Sequence, residues 1–191
     1  MGTKEFNFID IIISKLRLKK VLPFVKRGDS VLDFGCGYQA SFLKEISHLV
    51  KKGIGVDYDV DETSIAHNIE LKKLRFKSKL PLPDKSFDKV FMLAVIEHLA
   101  LETGRRLFDE ISRILKKGGS LILTTPTPKS QKILEFLAYR LKLISDREIA
   151  DHKKYYSRND FEVIAETAGL KLVTYETFQW GINSLVIFKL K

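Results

Sequence analysis

The sequence predicts an α/β protein: a doubly wound, mostly parallel sheet with helices on both faces and an antiparallel strand at its C-terminal end. Three features carry that expectation. Short apolar runs of strand length alternate with longer stretches of helical period. The first run ends in Gly35-Cys36-Gly37, the kind of glycine turn that joins a buried strand to a helix. The last two runs, 170–177 and 184–190, sit too close together for a helical crossover, so they should pair as a hairpin.

The elements follow in order. Residues 6–26 carry Phe8, Ile9, Ile12, Ile13, Leu16, Val21, Leu22 and Val25 at helical spacing with basic residues between them, an amphipathic helix. Arg27-Gly28-Asp29 turns the chain into a first strand, Val31-Leu32-Asp33-Phe34. Residues 40–50 return to helical spacing through Phe42, Leu43 and Ile46, and Gly53-Ile54-Gly55-Val56-Asp57 is the second strand. Residues 62–69 make at most a short helix, and 71–76 a weak third strand. After a loop at Pro81 and Pro83, 87–94 is the fourth strand. A helix at 103–116 is stopped by Gly118-Gly119, and 120–125 is the fifth strand, ended by Pro126. Amphipathic helices then cover 130–144 and 159–168, the second closed by Gly169. With the closing pair this makes seven strands in one domain, 1–191, into which 127–157 is inserted as a helical lid.

Composition narrows the class. Hydrophobic residues make up 45% and charged residues 30%, which excludes wholesale disorder. The single cysteine, Cys36, excludes an intrachain disulfide and a Cys-rich metal site, and no metal is expected. Met1–Glu5 opens no signal-peptide core and no run is long enough to span a bilayer, so a cytoplasmic setting is expected. Lys and Arg outnumber Asp and Glu by 33 to 24, a net charge of +9. The basic residues are spread along the chain as solvated helix faces, and no nucleic-acid module is recognisable, so nucleic acid is the less favoured partner.

The informative unit is strand, Gly-x-Gly turn, helix, strand, acid. In such sheets ligands bind beyond the carboxyl ends of the strands. Gly35 and Gly37 present backbone without a Cβ, and Asp57, ending the next strand, can accept hydrogen bonds from a ribose diol. A nucleoside-bearing cofactor is predicted. Ala40 stands where a dinucleotide fingerprint has its third small residue, so the turn alone leaves a nicotinamide oxidoreductase open. The closing hairpin and the later motifs weigh against it. Cys36 reads as a small turn residue, with nothing cationic beside it in sequence to make a nucleophile.

Four segments in this order resemble the class I S-adenosylmethionine-dependent methyltransferases over nearly the whole chain. They are Val31-Leu32-Asp33-Phe34-Gly35-Cys36-Gly37, Gly55-Val56-Asp57, Leu80-Pro81-Leu82-Pro83-Asp84-Lys85-Ser86-Phe87-Asp88 with Val95-Ile96-Glu97-His98-Leu99, and Leu115-Lys116-Lys117-Gly118-Gly119-Ser120-Leu121. Asp151-His152-Lys153-Lys154-Tyr155-Tyr156-Ser157 is similar to a region of quinone-biosynthesis O-methyltransferases and of methyltransferases from polysaccharide clusters. The resemblance implies S-adenosylmethionine as cofactor and methyl transfer to a small molecule, at a hydroxyl oxygen. It implies Gly35, Cys36 and Gly37 at the methionine part, Asp33 at the ammonium, Asp57 at the ribose with Tyr58 beside the adenine, and the Leu93 and Ala94 backbone at the methionine end. Gln39 replaces a frequent third glycine, and Phe76 an acid that often binds the adenine amine.

His98 follows the fourth strand, where it could take a proton from a hydroxyl; the alternative is a helix-start histidine bonding the backbone. His152 in the lid is a second candidate base, Glu97 is either a supporting acid or a surface residue, and His48 and His67 read as ordinary helix residues. The apolar 130–144 helix either packs on the domain or, helped by Lys132, Arg140 and Lys142, meets a lipid-linked substrate or membrane surface. Two further functions stay in view. A nucleic-acid methyltransferase would carry an Asn/Asp-Pro-Pro-Tyr-like run after the fourth strand, where this chain has Leu93-Ala94-Val95-Ile96. A non-catalytic scaffold on the cofactor fold is kept open by Gln39 and Phe76.

Overall fold

A computed structural model describes residues 8–191, with the side chains of 8–10 and 148 left aside; the opening residues Met1–Glu5 and the Phe8 and Ile9 side chains therefore lie outside the described residues. The elements are α1 (Phe8–Val21), β1 (Ser30–Phe34), α2 (Ser41–Ile46), β2 (Lys52–Asp57), β3 (Thr63–Ala66), β4 (Ile69–Lys73), β5 (Phe87–Leu93), α3 (Leu101–Ile114), β6 (Leu115–Pro126), α4 (Gln131–Glu135), α5 (Asp146–Ala150), α6 (Arg158–Thr167), β7 (Leu170–Phe178) and β8 (Asn183–Leu190). They form one eight-stranded sheet in the order β3-β4-β2-β1-β5-β6-β8-β7. β4, β2, β1, β5 and β6 are parallel; β3 runs antiparallel to β4, and β8 runs antiparallel to both β6 and β7.

The pleat divides the core. Val31, Phe91, Ile122 and Ile187 point to one face, where Phe42, Leu43 and Ile46 of α2 and Val21 of α1 cover them. Their neighbours Leu32, Val90, Met92, Leu121 and Phe188 point to the other, under Phe108 of α3 and Phe161 of α6. Strands buried on both faces read as continuous apolar runs, which is why they were legible. The order reverses at β1, whose neighbours are β2 on one side and β5 on the other, and this opens a crevice at their carboxyl ends.

Besides shifted ends at α2 and β4 and the added α5, four elements differ in kind or extent from the sequence expectation. Residues 62–69, expected to be at most a short helix, form β3 and a two-residue turn, His67-Asn68, into β4, and this supplies the eighth strand. Asn68 fixes that turn by donating from Nδ2 to the Ser47 and Val50 carbonyls at 2.9 and 2.8 Å. His67 is therefore a turn residue, and His48 lies in the turn after α2. The helix expected at 103–116 ends at Ile114, because Leu115 is already extended; Gly118-Gly119 lies inside the irregular start of β6. The single helix expected over 130–144 is α4 followed by a π-helical turn, Phe136–Arg140, and a left-handed Lys142. The wide turn lets Leu134 and Ala138 reach the interior while Phe136 and Tyr139 stay half exposed, since one helical stripe cannot bury so many apolar residues. In α1, Ile13 and Val21 face inward, whereas Ile12 and Leu16, read as part of the core face, are exposed.

The Leu80–Asp84 loop is held from below. Arg113 donates to the Leu80 and Leu82 carbonyls at 3.0 and 2.9 Å and pairs with Asp84 and Glu110. That network gives the Leu80–Asp84 part of the motif a structural purpose.

Candidate active site

A cavity of about 740 Å³ opens over the carboxyl ends of β1 and β5. Its floor is Asp33, Gly35, Cys36, Gly37, Leu93 and Ala94; its roof comes from α1 and from the 131–152 segment, through Leu134, Ile144, Ile149 and His152. Leu134, Ala138 and Ile144 form a small cluster of their own with Ile13 of α1 and Ile182 from the β7–β8 turn, so roof pieces from three parts of the chain lock together.

The two turn glycines serve different purposes. Gly35 is left-handed (φ +80°), and a Cβ there would lie 2.3 Å from Cγ2 of Val95, so neighbouring packing demands glycine. Gly37 is also left-handed (φ +68°), but a Cβ there would meet nothing within 4 Å. Only Gly37 matches the expectation of bare backbone facing open space.

Asp57 is buried and reaches back across the strands. One carboxylate oxygen accepts the Gly37 N–H at 2.9 Å and the other accepts the Asp59 N–H at 3.0 Å. It thereby fixes the turn, and each oxygen keeps a lone pair for a further donor. Asp57 and Tyr58 stand beside the cavity rather than among the residues lining it, and the exposed Tyr58 ring has the Arg75 guanidinium 5.8 Å from its centre. Phe76 packs edge-to-face on Phe34 at 6.1 Å, so it serves the core.

Asp33 is buried at the cavity floor, and its Oδ1 has no hydrogen-bond partner among the described residues. Burial, and then the nearby Asp57 carboxylate, push its pKa up to about 8. A buried carboxyl with an unused oxygen, on a residue that lines a cavity, suits a cation, and an α-ammonium is the group the cofactor would bring. With Gly37 and Asp57 beside it, the floor fits S-adenosylmethionine. Burial, and then Asp33 and Asp57, raise the Cys36 thiol far above its usual range, which rules out a thiolate nucleophile.

The other end of the cavity gathers Glu97, His98 and His152. Glu97 and His98 sit in a short 3-10 turn, Ile96–His98, directly after β5. The Lys153 and Lys154 N–H groups both donate to the Glu97 carbonyl, at 2.6 and 3.2 Å, which pins His152 against that turn. The two imidazole centres are 4.9 Å apart. His98 Nδ1 lies 3.2 Å from Asp151 Oδ2, close enough for an ion pair but without hydrogen-bond alignment. His152 Nδ1 is 2.9 Å from the Tyr155 hydroxyl. Burial, and then His98, push the His152 pKa down to about 4, so the ring is neutral at pH 7. Glu97 is fully buried, its carboxyl raised by that burial, and it accepts a hydrogen bond from the Thr125 hydroxyl at 3.0 Å.

The structure thus brings His98 and His152 together, as candidates proposed separately from sequence would need. It buries Glu97, read from sequence as either a supporting acid or a surface residue, beside them, and it adds Asp151 and Tyr155; no local motif signals this convergence, because it depends on two distant segments held together by backbone hydrogen bonds to the Glu97 carbonyl.

A methyltransferase-domain family matches residues 11–175. The chain belongs to that family. A probable S-adenosylmethionine-dependent methyltransferase of Mycolicibacterium smegmatis is 35% identical over 107 residues, 52% of this chain and 38% of that protein. A demethylmenaquinone methyltransferase of Tropheryma whipplei is 25% identical over 183 residues, 84% of this chain and 74% of that one. Among solved structures, the Haloferax volcanii complex of the Trm112 methyltransferase activator with a methyltransferase has a TM-score of 0.72 at 17% identity, covering 93% of this chain and 88% of that one, a likeness of fold. The match to the M. smegmatis protein spans little more than a third of that relative's length. The domain is an S-adenosylmethionine-dependent methyltransferase domain of the doubly wound type, as the sequence motifs implied. Among the described residues, no helix is long and apolar enough to cross a membrane.

Proposed function

We propose that this protein transfers a methyl group from S-adenosylmethionine to a hydroxyl oxygen of a small-molecule acceptor. One arrangement supports the reading: a single cavity joins the cation-ready Asp33 floor to a pair of imidazoles at its other end. Asp33 would hold the ammonium, the Gly35–Gly37 backbone the methionine part, Asp57 the ribose, Tyr58 the adenine, and Leu93 and Ala94 the methionine end. When bound, the cofactor supplies an electrophilic methyl on a sulfonium.

The chain's own contribution is position and proton handling. The roof of α1 and residues 131–152 covers part of the cavity and helps hold the reactants in place; such positioning can contribute up to about 7–11 kcal/mol of barrier. His98 and His152 orient the acceptor hydroxyl and ease loss of its proton. The 127–157 segment acts as the lid of this single domain, and its outer surface favours a lipid-linked acceptor at a membrane. Ile133, Phe136, Tyr139, Leu141 and Leu143 are exposed there, among Lys132, Arg140 and Lys142.

Calorimetry with S-adenosylmethionine and with reduced nicotinamide dinucleotide, followed by mass spectrometry of phenols, alcohols, their prenylated forms on anionic liposomes, and transfer-RNA transcripts, tests this. The expected result is binding of the first cofactor only and a one-methyl mass gain on a hydroxyl compound. Methyl found on RNA alone, or absent from every acceptor despite cofactor binding, overturns it in favour of a nucleic-acid enzyme or a scaffold.

A further inference from the structure

We infer that Glu97, His98 and His152 form a binding site for one divalent transition-metal ion of the zinc class, open on its cavity side to an acceptor oxygen. One ligand-type atom from each of the three lies within 4.8 Å of the others, and small side-chain rotations would draw them to the bond lengths of about 2.1 Å that one ion needs. Two imidazoles and a carboxylate suit zinc, iron, manganese or cobalt rather than magnesium or calcium, and three protein ligands leave an open coordination position. All three residues line the cavity, so that position faces the space where an acceptor would sit.

The surroundings match what metal-bound imidazoles need. A ligating histidine is held by a partner on its second ring nitrogen. Here His98 Nδ1 faces Asp151 at 3.2 Å and His152 Nδ1 faces the Tyr155 hydroxyl at 2.9 Å, which leaves Nε2 of each ring for an ion. Glu97 is oriented by the Thr125 hydroxyl. His98 Nδ1 and Asp151 Oδ2 are both buried and otherwise without a hydrogen-bond partner among the described residues. A ring turned slightly on binding an ion would align that pair. Tethering of Lys153 and Lys154 to the Glu97 carbonyl fixes the separation between the two segments before any ion arrives. Cations in the same region include Arg17, which lines the cavity from α1, and Lys153, 3.2 Å from the second Asp151 oxygen; Glu97 and Asp151 offset them.

The role of the ion rests on the hydroxyl-acceptor reading, whereas its binding does not. An acceptor hydroxyl on the open position would have its O–H bond weakened by the ion and release the proton to solvent, leaving an oxygen nucleophile. The two histidines then act as ligands, which is how they ease proton loss.

The test uses tag-free full-length protein stripped with a chelator, then titrated with Co2+ and Zn2+ by calorimetry and visible absorption. One ion per chain is expected, with a Co2+ ligand-field band. His98→Ala and His152→Ala should each weaken binding about 100-fold or more, a larger loss than supporting groups give, while His48→Ala leaves it unchanged. Because Glu97 is buried, Glu97→Gln is read only if its melting temperature and cofactor affinity are preserved; Tyr155→Phe, at a half-buried site, should weaken binding about tenfold without touching a ligand. No stoichiometric Co2+ binding by the wild type, or equal binding by the histidine variants, overturns the site. Methyl transfer that persists unchanged after the ion is stripped would remove the ion's role in the reaction but leave the methyltransferase reading standing. A bound ion with no methyl transfer to any hydroxyl would do the reverse.

Discussion

The two ends of the cavity are built in opposite ways. Most of the floor that would take the cofactor comes from one continuous stretch, 33–57, in which the end of β1, a glycine turn, α2 and β2 follow one another and Asp57 ties the last residue back to Gly37; only Leu93 and Ala94 come from elsewhere, at the end of β5. The acceptor end is assembled from the turn after β5, from α1, and from a segment that leaves the sheet at Thr127 and runs to the cap of α6 at Ser157. Chemistry common to a family can be stored in short, locally determined geometry. Chemistry that chooses a substrate sits on pieces whose meeting depends on the whole fold.

The largest expected effect tests whether the floor is prepared for a cation. Asp33 ionises at about 8 in the folded chain against 3.8 ordinarily. A carboxyl raised on folding supports the fold while protonated and withdraws that support as it ionises. The cofactor-free protein should therefore lose stability as pH rises from about 4 through about 8, and Asp33→Asn should flatten that slope. At pH 7, cofactor binding should release a proton, because the ammonium favours the ionised carboxyl; calorimetry in buffers of different ionisation enthalpy reads it. Equal slopes for the two proteins, and no proton release, would mean that Asp33 is not the group facing the ligand.

A smaller effect separates packing from binding within one turn. Gly35→Ala must adopt a left-handed backbone and displace Val95, an expected loss of about 2–4 kcal/mol by denaturant unfolding. Gly37→Ala meets open space and should cost only about 1 kcal/mol of stability, while weakening cofactor binding as its methyl enters the bed. If the stability losses were equal, the contrast between the two glycines would fail.

That contrast also shows what the sequence could and could not carry. Gly35 and Gly37 look alike in the motif, yet one is explained by Val95 and the other by the cavity, and only packing tells them apart. The parallel strands were legible because burial on both faces leaves unbroken apolar runs such as Val31–Phe34 and Leu121–Leu123. The β3–β4 hairpin was not, because Thr63–Ala66 is a half-exposed edge whose turn depends on Asn68 reaching carbonyls in another segment. The 130–144 stretch misled for a related reason. Its apolar residues keep helical period, but the roof curves, and a π-turn re-aims Ala138. His98 and His152 were each visible as candidates. Their pairing was not, since it rests on two backbone hydrogen bonds to the Glu97 carbonyl.

The subtlest contrast, whose decisive reading is an affinity that stays unchanged, sets the two ends directly against each other. Asp57→Ala removes the acceptor for the Gly37 and Asp59 N–H groups and the proposed ribose partner together. Cofactor affinity should fall about 100-fold, or about 2.7 kcal/mol. His98→Ala touches neither the turn nor Asp57, so cofactor affinity should stay within about twofold, while turnover falls about tenfold; proton removal commonly contributes more, but His152 and Glu97 remain at the same end. Affinity by calorimetry and kcat by product formation, measured on both variants, form a two-by-two comparison. If His98→Ala weakened cofactor binding as much as Asp57→Ala does, the ends would be one coupled site, with the Glu97 carbonyl tether carrying strain from roof to floor. If the two losses stay on their own axes, the floor can be treated as a fixed part and acceptor choice sought in the roof alone.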